Sequence, residues 1–185
     1  MVILITGASH TGKTLLAQRM LERYGYPYLS MDHLKMGLIR SGQTRLTPED
    51  DDELTAYLWP IIREMMKTVI ENRQNLIVEG CYVPFAWRKD FTDEYLAHVR
   101  FLCLAMTDGY IDAHFDVVLG HGSAIEERLD DSCCTADRLK AENRKYAESF
   151  RAAGEKVTWI EGDYRETIAA VLEGSFGTDK PVPCV

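Results

Sequence analysis

The sequence predicts a three-layer α/β/α sandwich built on a five-stranded parallel sheet. Three observations carry that expectation. Five short apolar runs alternate with longer segments of helical periodicity, which is the pattern of parallel α/β proteins. The first run, Val2–Ile5, leads through a glycine-containing segment directly into a helical pattern. Glycines and capping residues punctuate the ends of the helical segments.

In chain order, the first strand is expected over residues 2–6 and the first helix from Lys13 to Arg23, with Leu16, Met20 and Leu21 on one face. Gly25 is placed to end that helix in the left-handed conformation. Residues 26–31 read as a short second strand. A helix then runs from Asp32 to Arg40 and stops at Ser41-Gly42. Asp32 stands at the strand's carboxyl end, where it can cap the helix or face a ligand. Thr47-Pro48-Glu49-Asp50 has the composition of a helix start, and apolar spacing from Leu54 to Ile70 carries the helix to Asn72. Pro60 lies inside it and is expected to kink it. Leu76–Val78 is the third strand and ends in Glu79-Gly80. Tyr82, Trp87 and Arg88 follow, as a ligand wall or as core aromatics. The fourth strand spans 98–106. A helix follows to Gly120, Ser123-x-x-Glu126 forms a capping box, and a basic, polar helix covers 136–153. Val157–Ile160 is the fifth strand. Asp163-x-x-Glu166 caps a last helix that reaches Leu172 and ends at Gly174.

The 185 residues are 46% hydrophobic and 27% charged, enough for one full core, so a single domain over 1–174 with a loose tail over 175–185 is expected. Net charge is −8, which disfavours nucleic-acid binding, a process that runs on Lys/Arg patches. No apolar run approaches a membrane span, and the N-terminus enters a strand without a charged leader region, so neither a membrane segment nor a signal peptide is expected. Five cysteines in no metal-binding spacing read as reduced thiols in a cytoplasmic protein. No protein partner is legible.

The segment joining strand to helix is Gly7-Ala8-Ser9-His10-Thr11-Gly12-Lys13-Thr14, which fits G-x-x-x-x-G-K-[ST], the phosphate-cradling P-loop. Gly7 and Gly12 let the backbone approach an anion. The amides of Ser9, His10 and Thr11 and of the helix start then point inward, where the helix dipole favours negative charge. Lys13 is expected to reach the β/γ-phosphates and Thr14 to hold Mg²⁺. Glu79, ending the strand beside the P-loop strand, is the second expected Mg²⁺-side group, directly or through water. Gly80 allows close approach of a substrate. A guanine-reading N-K-x-D motif and a D-x-x-G switch are both missing, which favours ATP over GTP.

Beyond the P-loop, the chain resembles the adenylate kinase branch of P-loop kinases over about residues 2–172. Ser30-Met31-Asp32-His33-Leu34-Lys35, closing at Ser41-Gly42, is similar to that family's T-G-D-x-L-R…S-G acceptor helix. Glu79-Gly80 is similar to its D-G after strand three. Arg128-x-Asp130-Asp131 followed by Arg138-Leu139 resembles its lid. Ile160-Glu161-Gly162-Asp163 stands where its last strand leads to the adenine loop. The resemblance implies a P-loop kinase fold with a short lid at about 109–138 and acceptor-binding helices at about 32–72. It implies Arg128 and Arg138 on the transferring phosphoryl group, Lys35 on an acceptor anion, and Asp163 in the nucleotide loop. Asp32 would orient the acceptor, with Tyr82 and Arg88 on its wall. The family's arginine after D-G has no counterpart in Cys81-Tyr82-Val83-Pro84, and the Arg128–Arg138 gap is one residue short. The chain is also similar to 2-phosphoglycerate-kinase-like enzymes and, more distantly, to zeta-toxin sugar-nucleotide kinases. The expected activity is therefore transfer of the ATP γ-phosphoryl group, with Mg²⁺, to a small phosphorylated or carboxylated acceptor. The competing expectations are a nucleotide-dependent regulatory switch and a toxin-type sugar-nucleotide kinase.

Overall fold

A computed structural model describes residues 1–120 and 134–174. The elements are β1 (Val2–Gly7), α1 (Lys13–Tyr24), β2 (Tyr28–Ser30), α2 (Met31–Arg40), α3 (Asp51–Glu71), β3 (Leu76–Glu79), a 3₁₀ turn (Trp87–Asp90), the single turn α4 (Asp93–Leu96), β4 (Val99–Met106), α5 (Asp108–Gly120), α6 (Ala136–Ala152), β5 (Val157–Ile160) and α7 (Tyr164–Gly174). The five strands form one parallel sheet in the order β2-β3-β1-β4-β5. The expected fold class is the observed one.

β1 is central, and each of its residues is buried, as a parallel strand covered by helices on both faces must be. Its alternate side chains enter two cores. Val2 and Leu4 pack with α2, α3 and the aromatic group Trp87, Phe91 and Phe150. Ile3 and Ile5 pack with α1, α5 and α7 through Leu16, Met20, Ile111, Ile168 and Leu172. Helix α6 joins both, sending Leu139 to one cluster and Ala147 and Phe150 to the other. The sequence reads α6 as polar, but its narrow buried stripe of Leu139, Asn143, Ala147 and Phe150 is what packs it against the sheet.

Several boundaries differ from the sequence reading. The expected helix start at Thr47 is a turn: the Thr47 amide and hydroxyl both donate to Asp50 Oδ2, at 2.7 and 2.9 Å, and α3 begins at Asp51. Helix α3 runs through Pro60 as one element, with Pro60 on its exposed side. Strand β2 is only three residues long, because Met31 already opens α2. Asp32 is not the cap of α2; Ser30 holds that position. Trp87 is a core residue, stacked on Phe101 at 5.3 Å between ring centroids. Glycine stops at Gly25 and Gly42 are as expected, each with a left-handed φ near 70° (71° and 73°). Residues 109–120, expected to open the lid, belong to α5, with Ile111 and Val118 buried. The rest of the expected lid up to 133, including Arg128 and the expected capping box Ser123–Glu126, lies outside the described residues, as does the expected tail 175–185. Among the described residues no helix is long and apolar enough to cross a membrane.

Candidate active site

Strand register decides which side chains meet. Ile5 of β1 and Ser30 of β2 both align with Glu79 of β3, so three strands reach their carboxyl ends together. The P-loop leaves β1 two residues after Ile5, and Asp32 follows two residues after Ser30. Open α/β sheets bind ligands along this edge.

The P-loop is held in shape by its own glycines and side chains. Gly7 aligns with Leu104 of β4, and a Cβ at position 7 would overlap the Leu104 carbonyl oxygen. Gly12 has φ 77°, and a Cβ there would overlap the Tyr164 ring. Tyr164 comes from α7, and its hydroxyl donates to the Gly12 carbonyl at 3.2 Å. Burial pushes that phenol up to about 12. The Thr11 hydroxyl donates to the Ala8 carbonyl at 2.9 Å, and Lys13 Nζ donates to the same oxygen at 2.8 Å. Helix α1 starts at once, with the Leu16 amide on the Gly12 carbonyl, so its first free amides open toward the loop. His10 adopts a left-handed φ of 61°, uncommon for a residue with a side chain. Ser9 donates its amide to Glu142 Oε1 at 2.9 Å.

Thr14 and Glu79 meet as the sequence expects: the Thr14 hydroxyl donates to Glu79 Oε2 at 3.3 Å. Glu79 is 1% exposed. A carboxylate buried this deeply is costly unless donors or cations meet it. Two hard oxygens side by side beside a glycine-lined anion cradle are donors that suit Mg²⁺, which takes one or two protein ligands and phosphate oxygens for the rest.

A second group of polar side chains follows the ends of β2 and β3. Lys35 Nζ lies 2.7 Å from Asp32 Oδ1, one helical turn away on α2. It also donates to the Tyr82 hydroxyl at 2.8 Å and lies 5.0 Å from the centre of the Tyr82 ring. Tyr82 in turn donates to Asp51 Oδ1, at 3.3 Å, from the first turn of α3. Burial raises the Asp51 carboxyl above its usual range. The Tyr82 hydrogen bond and Lys35 oppose that rise, and the charges of Glu142 and Asp32 add to it. Burial first, then the neighbouring negative groups, pushes the Tyr82 phenol well above the ordinary value, so it serves as a neutral hydroxyl. Tyr146 closes the group by donating to the Cys81 carbonyl at 3.0 Å. The Gly80 position is pressed against Met31, where a Cβ would overlap the methionine side chain.

Thus the loop Gly7, Ser9, His10, Thr11, Gly12, Lys13 and Thr14 meets Glu79 at the carboxyl edge of the sheet, and Asp32, Lys35, Gly80 and Tyr82 follow the adjoining ends of β2 and β3. Arg88 is not brought there. Its guanidinium pairs in two-pronged fashion with Glu155, Nη2 to Oε2 at 3.0 Å, at the amino end of β5 and away from the ligand edge. Asp163 caps α7, its Oδ1 accepting the Arg165 and Glu166 amides at 2.7 and 3.0 Å. Arg138 is exposed in the first turn of α6.

Three residues were missed from sequence. Asp51 sits in an acidic run that reads as helix-end chemistry. Glu142 reaches the loop from 133 positions away, and nothing local marks it. Asn143 carried a signal, being a polar residue in the apolar stripe of α6. It is fully buried, accepts the Met106 amide at 2.7 Å and donates to the Leu139 carbonyl at 2.8 Å, which anchors α6 to the end of β4.

This fold recurs in solved structures. The chain is similar to a sugar kinase from Janibacter sp. HTCC2649, at 16% identity, TM-score 0.54 and 92% and 91% coverage of this chain and that one. It is similar to deoxyadenosine kinase from M. mycoides, at 12% identity, TM-score 0.52 and 93% and 97% coverage. A gluconokinase from Sinorhizobium meliloti 1021 aligns at 14% identity, TM-score 0.50 and 92% and 89% coverage. The fold is that of the P-loop small-molecule kinases. At these identities the P-loop kinase fold is what the likeness establishes. No protein-family model matches the sequence, and no curated protein is significantly similar to it.

Proposed function

We propose that this protein is an ATP-dependent, Mg²⁺-assisted kinase that transfers the γ-phosphoryl group to a small acceptor carrying a phosphate or carboxylate. The observation that carries this reading is the register of Ile5 and Ser30 on Glu79, which sets the P-loop and Asp32 on either side of one buried carboxylate. The kinase fold of the neighbours supports it.

The chemistry asks for positioning and positive charge, since the transition state spreads charge over the transferred oxygens. Lys13 and the loop amides bind the phosphates. Thr14 and Glu79 would hold Mg²⁺, which when bound neutralises charge on the phosphate oxygens. Asp32 orients the attacking oxygen and takes its proton where that oxygen is a hydroxyl. The bond from phosphorus to the bridging oxygen breaks, the bond to the acceptor oxygen forms, and ADP leaves with the bonding pair. Lys35, held by Asp32 and Tyr82, meets the acceptor's anion. Arg138, and Arg128 from outside the described residues, supply the remaining cations.

The test is ATP consumption with nucleoside monophosphates, phosphoglycerates and sugar nucleotides, run beside Lys13→Ala and Asp32→Asn. Loss of one preorganised charge contact costs about 10²–10³-fold in turnover, so Lys13→Ala should fall by at least that much while keeping its far-ultraviolet circular dichroism. Full transfer by Lys13→Ala would overturn the reading.

A further inference from the structure

Helices α1 and α7 are joined at both ends by a tyrosine hydroxyl on a carbonyl. At the amino ends Tyr164, the first residue of α7, donates to the Gly12 carbonyl at 3.2 Å. At the carboxyl ends Tyr24, the last residue of α1, donates to the Leu172 carbonyl at 2.6 Å. Leu16 and Met20 of α1 share one core cluster with Ile168 and Leu172 of α7. The two bonds look alike but hold different peptides. The Leu172 carbonyl belongs to a helix end. The Gly12 carbonyl belongs to the peptide that joins the P-loop to α1, and it also accepts the Leu16 amide at 2.9 Å. In a planar trans peptide the C=O and the N–H point in opposite directions. Two donors on the Gly12 oxygen therefore fix the Lys13 N–H on the other edge of the same plane. Helix α1 itself offers that first-turn amide no acceptor. Tyr164 is held firmly in its place. Asp163 caps its helix by accepting the Arg165 and Glu166 amides. The Tyr164 ring fills the space where a Gly12 Cβ would be, and burial keeps its phenol protonated as a donor.

We propose that Tyr164 is a positioning residue for polyphosphate binding: its hydroxyl holds the Gly12–Lys13 peptide so that the Lys13 N–H stays turned to the phosphate oxygens of the ligand. Gly12 has a left-handed φ of 77°, and a glycine there is free to rotate the peptide that follows. The hydroxyl restrains that rotation. A residue 152 positions away, at the start of the last helix, thereby sets the donor geometry of the loop. The proposal rests on the kinase reading for the identity of the ligand, but its test reads binding alone.

The experiment is calorimetric titration of the full chain with Mg-ATP and with inorganic triphosphate plus Mg²⁺, for the wild type, Tyr164→Phe and Tyr24→Phe, beside thermal melts. Tyr164→Phe keeps the ring and deletes the hydroxyl alone. The loss of one neutral hydrogen bond corresponds to about a fivefold change in Kd. Tyr164→Phe should therefore bind both probes about fivefold more weakly, and equally so, because inorganic triphosphate has no base or sugar. Tyr24→Phe is the matched control, deleting the bond at the other end of the same two helices: its melting temperature should fall while both Kd values hold. A merely structural Tyr164 would behave as Tyr24 does, and that result overturns the proposal. A loss confined to Mg-ATP overturns it too, because Tyr164 would then act on the nucleoside. Failure of the kinase reading looks different. A wild type that binds neither probe sinks both the kinase reading and the proposal. Titrations that follow the expected pattern while no acceptor is phosphorylated sink the kinase reading alone.

Discussion

Lys35 donates a 2.8 Å hydrogen bond to the Tyr82 hydroxyl, and this bond joins the helix after β2 to the segment after β3. Tyr82 passes the connection on to Asp51 at the start of α3. Tyr82→Phe keeps the ring beneath the ammonium and deletes the hydroxyl between two charged groups. One buried hydrogen bond is worth about 1 kcal/mol, so urea denaturation should register a loss of that size. In steady-state kinetics the acceptor KM should rise several-fold while the ATP KM holds, since Tyr82 lies on the Lys35 side of the site.

Asp51 makes that wall sensitive to pH. Its carboxyl is raised from the ordinary 3.8, chiefly by burial. The folded protein therefore holds this proton to higher pH than the unfolded chain does. Stability from this group is complete below the unfolded value and declines as pH rises through the folded one. Asp51→Asn should flatten that part of the profile. The check is the urea midpoint of wild type and variant across the range from pH 3 to pH 6: the wild type should lose ground to Asp51→Asn as pH rises, and the reverse order would contradict the assignment.

The two P-loop glycines should differ in tolerance. Alanine at position 7 meets the Leu104 carbonyl, part of the central sheet, whereas alanine at position 12 meets the Tyr164 side chain. Left-handed strain alone costs about 1–3 kcal/mol at a non-glycine residue. Gly12→Ala should cost at least that much, and the part due to the clash should be relieved by Tyr164→Ala, because the obstacle can be removed. Gly7→Ala should cost more and have no single-residue rescue. Thermal melts of the four variants measure this.

Arg88 should act through stability. Its partner Glu155 has a side chain only 5% exposed, against 48% for Arg88. Arg88→Met leaves a buried carboxylate without its cation. Breaking a buried pair costs about 3–5 kcal/mol, and the half-exposed arginine brings the expectation toward about 2 kcal/mol. Replacing both residues, as Arg88→Met with Glu155→Leu, should recover most of the loss in a denaturant titration.

Local chemistry in the sequence was sufficient for the layers of the fold and for the glycine-rich turn between β1 and α1. Alternating apolar runs and helical spacing depend on neighbours two to four residues apart, and so does the P-loop from Gly7 to Thr14. The Thr14–Glu79 pairing was also legible, because a parallel β1–β3 pair brings strand ends together. Boundaries were less so: Asp50 draws the Thr47 amide and hydroxyl into a turn, and that competition moved the start of α3 to Asp51. Tertiary structure alone decided the rest. It turned Arg88 to Glu155, because the 3₁₀ turn carrying Arg88 packs toward the amino end of β5. It drew Asp51 to Tyr82 and set Glu142 on the Ser9 amide. Those partners are 31 and 133 positions apart, and only the docking of α3 and α6 on one sheet brings them within hydrogen-bond reach.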